Sequence, residues 1–218
     1  MVRSRRSTLA LVASAMLPTA GRAAVPADIQ FEVARNGETI GTHAVRFSSV
    51  DDMLHVRIAV ALDVKLLGFT VYGYRHESRE TWRDGRLVAL DARTDDDGDL
   101  LSVRAENQGA LMLVRSVQGR AELPADMMPT SYWDRRTVQR DAWLDTQADK
   151  VIHGRMVQTG REDVETAAAT VGADRYDMQG EIDLTLWYTG PDWVGLRFGP
   201  GDGSSITYRR ISPLGRAG

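Results

Sequence analysis

The side chains with the most chemical potential in this sequence fall in one short run. From position 71 to 82, period-two alternation puts Tyr72, Tyr74, His76, Ser78, Glu80 and Trp82 on one face of a strand, and Arg75, Glu77 and Arg79 on the other. The first face mixes aromatic rings with an imidazole and a carboxylate. Turned inward, His76 and Glu80 become buried polar groups that need partners. Aromatic walls with a few convergent polar groups are the usual form of a small-molecule pocket. The plainest reading is a packed sheet face with a structural His76. A catalytic reading makes His76 a general base oriented by Glu80, but four residues of strand separate them by about 13 Å, so it is the weakest of the three.

A second group lies at 127–134, Met-Met-Pro-Thr-Ser-Tyr-Trp-Asp, where the strand pattern stops. Adaptable methionines beside Tyr132 and Trp133 suit a plug over one end of a sheet; a Trp anchor closing the core is the structural alternative. Ser131 is outside any Gly-x-Ser-x-Gly setting and is not read as a nucleophile. Trp187, like Trp82, stands just before a turn, and both are expected to be mostly buried. The candidate ligand-contacting set is thus Tyr72, Tyr74, His76, Glu80, Trp82, Tyr132, Trp133 and Trp187. The four histidines, His43, His55, His76 and His153, show no metal-ligand spacing. The acidic run at 95–99 lacks the spaced ligands of a calcium loop and reads as a solvated hairpin tip. No cysteine is present, which removes thiol nucleophiles, iron–sulfur clusters and Cys-bound zinc. No catalytic residue, metal or cofactor is assigned from the sequence.

The elements that must carry these residues are strands. Ile29, Phe31 and Val33 alternate with polar neighbours, and Leu54, Val56, Ile58, Val60 and Leu62 form one apolar face. Ile182, Leu184, Leu186 and Tyr188 do the same late in the chain. Asn36-Gly37, Asp84-Gly85 and Asp97-Gly98 are tight-hairpin signals, and Gly190-Pro191 marks another turn. Strands about every ten residues, joined by short turns, imply antiparallel pairing in a sandwich or barrel. The expected fold is all-β: a single curved antiparallel sheet, half-barrel or barrel-like, of ten to twelve strands. One short helix is expected near 134–144. The hairpins ending in Trp82 and Trp187 echo each other faintly, which ordinary hairpin grammar explains.

The first 23 residues have the layout of an export signal: Arg3, Arg5 and Arg6, an apolar run at 9–17, Pro18, and small residues before a cleavage point near Ala23. The apolar run is far shorter than the roughly 20 residues that span a bilayer, so no transmembrane segment is expected after cleavage. Arg5-Arg6 also fits a twin-arginine signal, leaving that route and the general secretory one both open. The rest, about 195 residues, suits one periplasmic domain at 24–218. A net charge of −3 and the lack of a basic stripe argue against nucleic acid.

Taken in order, several motifs resemble an uncharacterised exported bacterial family, the domain-of-unknown-function family numbered six-one-three-four. They are Phe31-Glu32-Val33, Asn36-Gly37, Ile40-Gly41-Thr42-His43, Tyr72-x-Tyr74-Arg75-His76, Arg79-Glu80-Thr81-Trp82 with Gly85-Arg86-Leu87, Pro129-Thr130-Ser131-Tyr132-Trp133, Leu144-Asp145-Thr146-Gln147 and Leu186-Trp187-Tyr188. The resemblance implies an all-β periplasmic domain, similar to the curved sheets that shelter lipid in lipid carriers, and it brings no activity or functional residue. The leading expectation is a non-enzymatic binder of a lipid or other apolar small molecule. A structural or interaction protein of the cell envelope is the alternative, and an enzyme ranks third.

Overall fold

In the computed structural model, residues 25–148 and 150–215 are described; the expected export signal lies outside them. The chain forms fifteen strands: β1 Ile29–Arg35, β2 Glu38–Val50, β3 Met53–Leu66, β4 Phe69–Arg83, β5 Arg86–Asp96, β6 Asp99–Asn107, β7 Leu111–Ser116, β8 Gly119–Pro124, β9 Met128–Pro129, β10 Ala142–Leu144, β11 Val151–Glu165, β12 Thr170–Gly180, β13 Asp183–Thr189, β14 Asp192–Gly199 and β15 Ile206–Arg210. All belong to one sheet, ordered β8-β7-β6-β5-β4-β3-β2-β1-β15-β14-β13-β12-β11-β10-β9. Two meandering arms therefore meet at a central seam where β1 pairs β15, Phe31 opposite Arg210.

The turns form as their residues dictate. Asn36-Gly37, Asp84-Gly85 and Asp97-Gly98 all have positive φ at both positions, and so does Leu67-Gly68. Two successive left-handed residues give the turn whose twist matches that of the strands it joins. Between the turns, alternation selects the buried face. In β3, Val56, Ile58 and Val60 are buried while Arg57, Ala59 and Ala61 are exposed. In β4, His76, Ser78, Glu80 and Trp82 are buried, and Arg75, Glu77 and Arg79 are exposed.

The sheet does not close by hydrogen bonds, yet its edges approach. β8 and β9 are the two edge strands, and only residues 125–127 join them. Four residue steps span at most about 14 Å, so the far edges of a fifteen-stranded sheet come that close at this end. Asn107 Nδ2 donates to Ala125 O at 2.8 Å, and Met127 N to Pro124 O at 3.0 Å, fixing the link. The shape is a barrel left unzipped along one seam.

Two expectations are corrected. The helix near 134–144 is a single 3-10 turn, Arg135–Gln139, followed by a strand, Ala142–Leu144. Asp134 caps the turn by accepting from the Arg136 N–H at 2.9 Å. The strand count is fifteen because β8 and β11 are largely solvent-facing, β12 is mostly half-buried, and β9 and β10 are only two and three residues long, so none of them shows clean apolar alternation.

Register at β2 depends on one glycine. A bulge opposite Val33 and Ala34 makes Ile40 an extra residue, so that Ile40 and His43 both face inward. A Cβ on Gly41 would lie 1.9 Å from the Ala61 carbonyl oxygen across the β2–β3 pair. Gly41→Ala should therefore push the two strands apart and cost about 1–3 kcal/mol. Urea titration should show a lower midpoint at unchanged slope; an unshifted midpoint would mean the bulge yields freely.

Candidate functional site

Register arranges the inward side chains in rows across the sheet. One row runs Phe47, Val56, Glu80, Leu90 and Ala105 across β2 to β6, and another runs His43, Val60, His76, Thr94 and Leu101 across the same strands. The first row is packed solid. Trp133 enters it from the segment after β9, its ring 5.3 Å from both Phe47 and Trp82 and nearly perpendicular to each. Both indole N–H groups, Trp82 at 2.8 Å and Trp133 at 3.0 Å, donate to Glu80 Oε2. Burial pushes the Glu80 carboxyl upward, with the indole donors and Ser131 opposing that shift.

The second row is not filled. His43, Val60, His76, Thr94 and Leu101 all line a cavity of about 680 Å³, within the range of sites that enclose one small molecule. Its apolar walls include Ile58, Leu62 and Val64 from β3 and Leu184, Leu196 and Phe198 from β13 and β14. Thr130, Ser131 and Tyr132 face it from the same segment that carries Trp133. Charged groups gather where the side chains are more exposed. Arg35 pairs with Asp202 at 2.5 Å, and Tyr72 donates to Asp96 at 2.5 Å. Tyr74 donates to Gln147, linking β4 to the loop after β10.

The segment 130–136 braces the two arms. Tyr188 of β13 donates to the Tyr132 carbonyl at 2.6 Å. Arg135 donates to Gly190 O at 2.6 Å, and Arg136 donates to Gly85 O at 2.8 Å. Adjacent arginines thus hold the tips of the two hairpins whose sequences echo each other. Tyr132 takes φ +58° to make this crossing, a conformation that costs a non-glycine residue roughly 1 kcal/mol or more. Of the two readings of 127–134, the geometry favours the Trp anchor: Met127, Met128, Thr130 and Ser131 are buried, and the partly buried Trp133 packs against the core.

The structure divides the sequence-derived set. Tyr72, Tyr74, His76 and Tyr132 line the cavity; Glu80, Trp82 and Trp133 form the packed triad beside it. Trp187 belongs to neither. It is partly buried on the outer face, donating to Glu162 at 2.5 Å with Arg175 over its ring. Counted back from the turn, its hairpin places Tyr188 where the other places Trp82, and a one-residue shift reverses the face. Trp187 is thus partly buried, but on the outer face and not in the core. His76 and Glu80 have separate partners, His76 Nδ1 meeting Thr94 Oγ1 at 2.9 Å, so no base–carboxylate pair is assembled.

His43 was the residue not singled out. It is 7% exposed, its ring lies 5.5 Å from both Trp193 and Tyr208, and neither ring nitrogen has a hydrogen-bond partner. Counting back from Val45 and Phe47 would have found it inside; counting forward from Ile40, across the bulge, would not. Burial, with a smaller contribution from His76, lowers the His43 pKa to about 3, and burial lowers His76 to about 4. Among the described residues, no cluster of three or more His, Asp or Glu side chains is placed to hold a metal ion, and no helix is long and apolar enough to cross a membrane.

An open, barrel-like sheet, antiparallel as expected except where β9 and β10 pair parallel, enclosing a cavity, defines the class of protein. A crystal structure of the same kind, a β-barrel-like protein of domain of unknown function DUF1849 from Brucella abortus, superposes with a TM-score of 0.60 at 9% identity, over 86% of this chain and 96% of that one. At that identity the likeness concerns the fold. No curated protein matches the sequence significantly. Residues 31–211 match the sequence profile of a domain of unknown function, DUF6134, and the chain belongs to that family.

Two measurements follow from this geometry. Trp82→Ala should cost about 3–5 kcal/mol, whereas Trp187→Ala should cost about 1 kcal/mol or less, as expected of a surface residue; equal losses in denaturant titration would contradict the face assignment. The pH dependence has a definite sign. His43 and His76 stay neutral in the folded state below the pH, about 6.5, at which they protonate when unfolded. Their contribution is complete above that pH and is lost as pH falls toward 4 and 3. Glu80 acts in the opposite sense, its contribution falling as pH rises above the ordinary carboxylate range. The slope of stability against pH between 6.5 and 4 should flatten in His43→Phe, and an unchanged slope would show that the imidazole is not held neutral.

Proposed function

We propose that this is an exported, periplasmic, non-enzymatic domain that shelters a lipid or other apolar small molecule in the cavity between its arms. The observation that carries this reading is the division of one sheet face into a packed half, anchored by Trp133 on Glu80, and an empty half with aliphatic walls and a few inward polar groups. An empty apolar cavity forfeits packing, and here the chain does not fill it although the neighbouring row is packed. A second observation agrees. The β3–β4 ribbon extends beyond the last paired residues of both neighbouring strands, which meet it at Gly41–Leu62 and Tyr74–Asp96. Beyond that point Leu66, Leu67, Phe69 and Val71 are exposed. Val64 and Tyr72, on the same ribbon, line the cavity, so apolar surface runs from the interior to the ribbon's tip. The export layout of residues 1–23 supports the periplasmic placement.

The test uses protein recovered from the periplasmic fraction of its own host. Under gentle extraction, native mass spectrometry should show an added apolar mass on a chain beginning near Ala24. Val60→Phe, which projects an aromatic ring into the empty row, should remove that mass while leaving the fold intact by circular dichroism. A clean unliganded mass for the unsubstituted protein, or retention by Val60→Phe, would overturn the reading.

A further inference from the structure

His43 poses a problem that the apolar walls do not solve. A buried imidazole normally has at least one nitrogen engaged, because an unpartnered buried polar group costs about 1–3 kcal/mol. Here Phe31, Trp193 and Tyr208 surround the ring, and both nitrogens lack partners. The ring lines the cavity. Two strands away in the same row stands His76, also on the cavity wall, with Nδ1 committed to Thr94 Oγ1 and Nε2 left over. Strand spacing puts the two backbones roughly 10 Å apart. The row therefore offers a ligand two imidazoles, each able to donate or accept according to tautomer.

The charged groups that line the cavity are paired, hydrogen-bonded or exposed, Asp96 accepting from the Tyr72 hydroxyl. Arg35 is neutralised by Asp202, and the Asp145 Oδ1 accepts from the Gln147 and Ala148 backbone N–H groups. Lys150 is exposed. An ionised ligand group carried to His43 would lose its hydration and meet no counter-ion there, which is costly. A hydroxyl or carbonyl would lose little and would satisfy the orphaned nitrogens.

Resting on the reading of the cavity as a site for an apolar ligand, we infer that the ligand carries one uncharged hydrogen-bonding group, a hydroxyl or a carbonyl, on an apolar body. That group enters first and docks on His43, the imidazole without a partner, while the body extends past Leu62 and Val64 toward the exposed ribbon.

The experiment is a displacement series with the whole protein, freed of bound material and loaded with the neutral fluorophore N-phenyl-1-naphthylamine. The competitors share one saturated chain: dodecanol, 2-dodecanone, dodecane, dodecanoate and dodecylammonium. Dodecanol and the ketone should compete about tenfold more tightly than the other three, the scale of one added buried hydrogen bond. His43→Phe should bring dodecanol to the level of dodecane without changing dodecane itself. Should that variant fail to fold, imidazole ¹⁵N resonances of the unsubstituted protein carry the test: His43 must shift with dodecanol and not with dodecane. Equal or tighter binding of the charged competitors, or a His43 resonance indifferent to the alcohol, overturns the head-group assignment while leaving an apolar site in place. Failure of the fluorophore and every competitor to bind overturns both that assignment and the binding function beneath it.

Discussion

A sheet with two free edges has no hydrogen bond that obliges it to stay curled, and everything described for this protein requires that it does. The obligation is met from inside, by the segment 130–136. Trp133 packs between Phe47 and Trp82 and reaches Glu80 on one arm, while Tyr132 is held by Tyr188 on the other. Burying a carboxyl is unfavourable, so the two indole donors are what make Glu80 tolerable there. Removing either arm's hold would leave a desolvated polar group behind as well as a gap. The brace thus couples the curvature of the sheet to the hydrogen bonds on one oxygen of a buried acid, Glu80 Oε2.

That coupling also sets where space is left. The brace occupies the rows of β2 to β6 nearest the Asp84-Gly85 turn, and the rows toward the β3–β4 ribbon open into the cavity. Tyr132 and Trp133 are consecutive, yet one faces the cavity and the other the core; the left-handed backbone at Tyr132 separates them. The local strain at this residue is tied to the boundary between filled and empty interior. Burial in the cavity wall in turn favours the neutral form of both histidines.

Much of the fold was legible because its determinants are local. Asn-Gly and Asp-Gly pairs force left-handed turns whatever surrounds them, and the strands between them must bury one face. The face of β4 could be read residue by residue from Tyr72 to Trp82 for that reason. What could not be read depends on distant partners. β11 and β12 pair along most of their length, but β11 is largely exposed and β12 mostly half-buried, so no clean periodicity announces them. The faces of His43 and Trp187 both turn on a parity count of one residue, and a bulge or a turn elsewhere in the hairpin decides it. The empty space was not legible at all, because a cavity is a difference between rows supplied by six or more strands. Alternation reports only that a residue points inward, not whether anything meets it.

The seam at the middle of the sheet is built from the first strand and the last. Each arm consists of hairpins whose partners are neighbours in sequence and can form early, since short loops close at little entropic cost. The pairing of Phe31 with Arg210 spans almost the whole described chain, and such remote contacts are the slow ones. During synthesis, β1 has β2 on one side and an unpaired edge on the other until β15 arrives. The arms therefore come first and their union last, and the cavity, which draws walls from both, cannot form from either arm alone.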